Sequence, residues 1–143
     1  MSENCLFCQI GKKETNAYVV YDDERSMAFL DAYPVSEGHT LIIPKAHYEN
    51  ICDIPQDLLA HVMKKAKELV KRYQEIFHPV GFNLIQSNGK AAQQTVFHFH
   101  LHIIPRYEND GLRLFRHHFL KADMNLVESY QKILRYHQKI EEF

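Results

Sequence analysis

Two short runs near the start of the chain, residues 18–21 and 25–30, carry apolar side chains at strand-like spacing, and Asp22-Asp23-Glu24 separates them. Runs of this kind around a cluster of turn-forming residues predict a β-hairpin. Residues 31–38, Asp-Ala-Tyr-Pro-Val-Ser-Glu-Gly, read as a loop. A third strand follows at residues 39–43 and ends at Pro44, which cannot donate to a ladder.

The period then changes. From Pro55, a residue tolerated in a first helical turn, Leu58, Leu59, Val62, Met63, Ala66, Leu69, Val70, Tyr73, Ile76 and Phe77 recur at helical spacing. Lys64, Lys65, Lys67, Glu68, Lys71 and Arg72 fill the opposite face, which reads as solvated, so this helix covers one side of a sheet. His78-Pro79 stops it. Gly81–Ser87 and Thr95–Ile104 read as two further strands, joined by a linker that opens with Asn88-Gly89, a strong turn signal. Residues 105–122 are irregular and hold Arg106, Arg113, Arg116, His117 and His118. Asp123 is the expected cap of a last amphipathic helix bearing Leu126, Val127, Tyr130, Ile133, Leu134 and His137 on one side. The predicted class is α+β: an antiparallel sheet of about five strands with one long helix and a C-terminal helix.

Composition narrows the function without naming it. The 143 residues suit one domain, and 45% apolar with 24% charged residues is ordinary for a globular chain. A net charge of −1 supplies no field to attract nucleic acid or a membrane surface, so neither is an expected partner. No stretch approaches a membrane span or a signal peptide, and the expected location is the cytoplasm. In that compartment Cys5-x-x-Cys8 reads as half a metal site or a redox pair, while Cys52 reads as a small buried side chain.

The chemistry is expected in His98-Phe99-His100-Leu101-His102-Ile103-Ile104. On extended backbone the three imidazoles share one face, and Phe97, Phe99, Leu101 and Ile103 share the other. A polar strand face, a three-histidine metal site and nucleophilic catalysis by one imidazole all remain open on this pattern.

The stripe resembles the signature of the histidine triad (HIT) family, three histidines alternating with apolar residues. Phe29-Leu30-Asp31-Ala32-Tyr33-Pro34, the run Gly38-His39-Thr40-Leu41-Ile42-Ile43-Pro44-Lys45-Ala46-His47 and the helix after Pro55 resemble the family's N-terminal half. The resemblance covers residues 5–107, making 1–143 a single HIT domain with a C-terminal extension at 108–143. It implies a nucleotide hydrolase: His100 attacks the α-phosphorus of a purine nucleoside 5′-phosphoramidate or related AMP conjugate and forms a covalent nucleotidyl-histidine. His102 contacts the phosphate or leaving group, with His98 the third member of the triad. Asn88, Gln94 and Thr95 are the implied polar donors around the phosphate, and Leu6, Phe7, Ile10 and Phe29 the implied walls of the nucleoside pocket. Asp31 would accept from both ribose hydroxyls, for which a carboxylate has two oxygens. Gln93 departs from the glycine that many relatives have before the loop glutamine. A diadenosine polyphosphate hydrolase, with Arg106, Arg113 and Arg116 holding further phosphates, and a nucleotide-binding interaction module with vestigial catalysis are the alternatives.

The resemblance also implies structural zinc on Cys5, Cys8, His47 and His98, a closed four-ligand set. It implies a homodimer whose sheet continues across two subunits. His39 is expected to be a partly buried strand residue bonded to a backbone carbonyl, and His61, His78, His117, His118 and His137 to lie at the surface.

Overall fold

The hairpin forms as expected. In the computed structural model, which describes residues 4–114 and 125–141, β1 (Val19–Asp22) pairs with β2 (Ser26–Leu30), and β2 with β3 (Thr40–Pro44). With β4 (Gly81–Ile85) and β5 (Leu101–Arg106) they make one five-stranded sheet in the order β1-β2-β3-β5-β4, antiparallel throughout. The helices are α1 (Leu6–Gly11), α2 (Gln56–Phe77) and α3 (Leu126–Glu141). Thus the class is α+β. The described residues divide into two compact units, one ending at Gly111 and the other beginning at Leu112.

Side-chain alternation divides the sheet into two apolar layers. Ala28, Ile42, Phe99, Leu101 and Ile103 pack with Leu58, Val62, Ala66, Leu69 and Tyr73, the buried stripe of α2. Met27, Phe29, Leu41 and Ile43 pack on the other face with Phe7 and Ile10 of α1. Burying each large apolar side chain contributes roughly 1.5–3 kcal/mol, so the central strands are held from both sides. Met63 and Ile76 fall off the stripe and are exposed. Gly38 (φ +85°) lets the chain enter β3 against Phe77, whose ring would lie 2.9 Å from an added Cβ.

Several expectations need correction. The strand predicted over Thr95–Ile104 begins only at Leu101 and runs to Arg106. Its ladder with β3 covers Ile42↔Leu101, Leu41↔His102 and Thr40↔Ile103. Two positions beyond Ile42, Pro44 has no N–H to give, and its carbonyl accepts from His98 Nε2 instead. Residues 95–100 therefore find other partners, and Phe99 N–H donates to the Tyr48 carbonyl. Phe97 is exposed rather than sharing the buried side. Cys52 is exposed too, because it sits on a polar turn where the Asp53 carboxylate accepts from the Glu49 and Asn50 amides. His61 is not a free surface residue: Nε2 lies 2.8 Å from Asp23 Oδ2 and 3.2 Å from Ser26 Oγ, tying α2 to the hairpin.

His78 (φ 53°) closes α2 from an exposed position, as expected. At the start of α3 the Asn125 side chain accepts from Glu128 N–H. The expected cap Asp123, with Arg116, His117 and His118, lies outside the described residues. The apolar side chains of α3 and His137 are exposed. Among the described residues, no helix is long and apolar enough to cross a membrane.

Candidate functional site

The site is built on the sheet face away from α2. Leu41 belongs to the α1 layer, and its cross-strand partner His102 shares that face. Alternation persists through the unpaired residues before β5, so His98 and His100 follow His102 onto it. Phe7 of α1 meets both edge-on, with ring centroids 6.0 Å from His98 and 5.1 Å from His100.

Each histidine is oriented by a named contact. His98 donates Nε2–H to the Pro44 carbonyl at 2.7 Å, which leaves Nδ1 as a lone pair. Nδ1 lies 3.4 Å from Cys5 Sγ, 3.4 Å from Cys8 Sγ and 3.2 Å from His47 Nδ1, and Cys8 Sγ lies 3.3 Å from His47 Nδ1. Metal–ligand bonds of 2.0–2.1 Å to nitrogen and 2.3 Å to sulfur give a tetrahedron edges of about 3.3–3.8 Å. These four separations match such an edge to within a few tenths of an ångström, and all four donor atoms lie within 4.8 Å of one another. Their chemistry fits zinc. Without a cation, burial and the neighbouring Cys5 push the Cys8 thiol up to about 11.

His100 donates Nδ1–H to the carbonyl of His98 at 2.8 Å. The ring is buried, which lowers its pKa and keeps it neutral, so Nε2 carries the lone pair. Its ring centroid lies 5.0 Å from that of His102. Burial, with His100 and His39 adding to it, brings His102 down to about 4.

His39 is not bonded to a carbonyl. Val35 N–H donates to His39 Nδ1 at 3.1 Å, so the proton of the neutral ring sits on Nε2, 2.9 Å from His102 Nδ1. His39 therefore donates to His102, and the His102 proton is displaced onto Nε2. Asp31 Oδ2 stands 3.4 Å from His39 Nε2. Asp31, His39 and His102 also converge closely enough for a metal ion. The Val35 contact argues against that use, because the only His39 nitrogen facing the group carries a proton.

A cavity of about 780 Å³ opens beside these rings, lined by Leu6, Phe7, Ile10, Phe29, Asp31, Thr95, His100 and His102 among others. Asp31 Oδ1 accepts from Tyr33 N–H at 2.9 Å, which fixes the carboxylate at the wall. Asn16, Tyr18, Leu30, Tyr33 and Val96 line it as well and were not anticipated; Asn16 and Tyr18 lie some eighty positions before His100, and nothing local marks them as its neighbours.

Asn88 and Gln94 do not line this cavity. Asn88 Oδ1 accepts from Ile51 N–H at 2.8 Å and from Gln86 Nε2 at 2.7 Å. Gln94 is buried, accepts from Gly89 N–H at 2.8 Å, and donates to the carbonyls of Glu49 at 2.7 Å and Val96 at 3.1 Å. Both amides brace the loop that presents Thr95. Gln93 takes the left-handed backbone (φ 67°) that a glycine would adopt without strain.

Comparison with known proteins agrees with this geometry. Residues 12–109 match the model of the HIT domain. The chain is 43% identical over 109 residues to an adenosine 5′-monophosphoramidase of Saccharomyces cerevisiae, covering 76% of this chain and 66% of that protein. A crystal structure of a HIT family protein from Bacillus anthracis superposes with a TM-score of 0.84 at 39% identity, covering 97% of this chain and 98% of that one. A Zn-bound histidine triad family protein from Mycobacterium smegmatis superposes with a TM-score of 0.76 at 38% identity, covering 81% and 84%. With the HIT domain matched over residues 12–109 and 39% identity to the Bacillus anthracis protein along nearly the whole of both chains, the chain belongs to the HIT family.

Proposed function

We propose that this HIT protein hydrolyses AMP-type conjugates, purine nucleoside 5′-phosphoramidates, through a covalent nucleotidyl-histidine on His100. One observation carries the reading: His100 is held by Nδ1–H on the His98 carbonyl, so Nε2 is the nucleophilic atom of a ring that borders the cavity. Nε2 attacks the α-phosphorus, the P–N bond breaks, and the amine leaves with that electron pair and a proton taken up from solvent. The ring becomes cationic as the N–P bond forms, and the His98 carbonyl stabilises the charge through the Nδ1 proton. Water then attacks phosphorus and gives up a proton to solvent, the N–P bond breaks with its electron pair returning to Nε2, and AMP leaves. His102 Nε2–H is the donor for the phosphoryl group or leaving atom, its direction set by His39.

In this reading Leu6, Phe7, Ile10 and Phe29 wall the nucleoside, Asp31 accepts from the ribose diol, and Thr95 meets the phosphate. Zinc on Cys5, Cys8, His47 and His98 is structural: it would tie the N-terminal segment to the catalytic strand. The likeness to the yeast phosphoramidase supports the leaving-group class. Of Arg106, Arg113 and Arg116, the cations expected to hold further phosphates, Arg106 is engaged by Asp110 at 2.8 Å and Asn83 at 2.9 Å, which weighs against its use in a diadenosine polyphosphate site. A cytoplasmic homodimer belongs to the same proposal, and β4 offers an edge strand for it.

The test is turnover of adenosine 5′-phosphoramidate beside diadenosine tetraphosphate. Release of AMP from the first, lost by about four orders of magnitude in His100→Asn, is the expected result. Tight AMP binding with no turnover of either compound would leave a binding module in its place.

A further inference from the structure

We propose that the Cys5–Cys8–His47–His98 donor set and the cavity are thermodynamically coupled, so that a metal ion on the donors tightens nucleotide binding and nucleotide retains the metal. The inference rests on reading the cavity as a nucleotide site and goes beyond a structural role for zinc.

Two independent links join the sites. The first is α1. A helix of six residues has little stability of its own in water. Its N-cap is Cys5 and its third residue is Cys8, both members of the donor set. Between and beyond them Leu6, Phe7 and Ile10 line the cavity. Ligand and wall residues interleave on barely more than one turn, so α1 cannot move its thiols without moving the wall.

The second link is His98. Its side chain supplies one donor, while its backbone carbonyl accepts from His100 Nδ1 at 2.8 Å. The group that selects the His100 tautomer thus belongs to a residue whose ring is fixed by the donor set. Phe7 touches both rings and closes the loop between the two links. Cys5, Cys8 and His47 are in this sense positioning residues for His100. The α2 layer of the core includes none of the four donors, so metal removal leaves most of the sheet supported.

Linkage requires the two ligands to favour each other by one factor, and couplings of this kind typically span about 5–150-fold. The experiment uses the full chain, stripped of metal by a chelator and reloaded with Zn2+. Calorimetric titration with AMP is expected to give at least about tenfold weaker binding to the stripped form. Competition with a chromogenic chelator is expected to give a Zn2+ affinity raised by the same factor when AMP is saturating. Far-UV circular dichroism should change little between the forms, and Cys8→Ser should bind AMP like the stripped protein.

Equal AMP affinity in both forms would overturn the coupling while leaving the proposed activity intact. So would Zn2+ affinity indifferent to AMP, failure to bind Zn2+ stoichiometrically, or global unfolding on stripping. No AMP binding by either form would overturn the reading of the cavity and the coupling with it.

Discussion

His100 has two ring nitrogens, and catalysis at phosphorus needs one held and one free. The His98 carbonyl holds Nδ1, and burial keeps the ring uncharged. His102 obeys the same logic one layer out, since His39 occupies its Nδ1 and leaves Nε2–H as the donor. Its pH dependence follows. Folded His102 stays neutral down to about 4, whereas an unfolded imidazole protonates near 6.5. Between those values the unfolded chain binds more protons, so this group's contribution is full above about pH 6.5 and is lost as pH falls towards 4. Urea midpoints should rise from pH 4 to 6.5 and then level; a midpoint that falls over that window would contradict the assignment. The acid limb of kcat/KM should lie below 6.5, and His39→Ala should move it upward by freeing His102 Nδ1 to take a proton. An unmoved limb in that variant would reduce His39 to packing. None of this tautomer chain is legible in the sequence, because the partner of His102 lies sixty-three positions earlier and its roles depend on the Val35 amide.

Among the elements, side-chain alternation was the most transferable signal. It puts the three imidazoles on one face even though the paired strand starts only at Leu101, because extended backbone alternates with or without a ladder. It could not place the start of that strand, which depends on Pro44 arriving opposite Phe99 from another part of the chain. Helix α1 gave no periodic signal at six residues, yet its Cys-x-x-Cys pair announced the donors it carries. In the loop before the triad the resemblance implies Asn88 and Gln94 as phosphate donors; Gln94 joins Gly89, Glu49 and Val96, partners that no local spacing reveals. Gln94→Leu would leave those backbone groups without partners, and a loss of about 1–3 kcal/mol of stability is expected in denaturant titration. The neighbouring residue should respond in the opposite sense. Gln93 holds φ 67°, so Gln93→Gly should relieve about 1 kcal/mol of strain against a smaller entropic cost in the unfolded chain. A clearly destabilised glycine variant would show that the Gln93 side chain makes a contribution larger than the strain.

For the whole molecule, patterning predicted the α+β class and the family resemblance supplied the chemistry, while the cavity had to be assembled by folding. Its lining runs from Leu6 to His102, and only the sheet order brings α1, the β2 end and the triad together. The near-neutral charge of −1 fits a site that meets an anion through local donors. The proposed dimer predicts sedimentation at twice the chain mass of 16.9 kDa, and a monomer at micromolar concentration would remove that part of the account. The central claim is a phosphorus–nitrogen bond to one ring, and it is best tested by acid-quenching a turnover of adenosine 5′-phosphoramidate and mapping the adduct by mass spectrometry. The account predicts a nucleotidyl group on the peptide containing His100, absent from His100→Asn. Steady AMP release with an unmodified His100, or undiminished turnover in the variant, would contradict it.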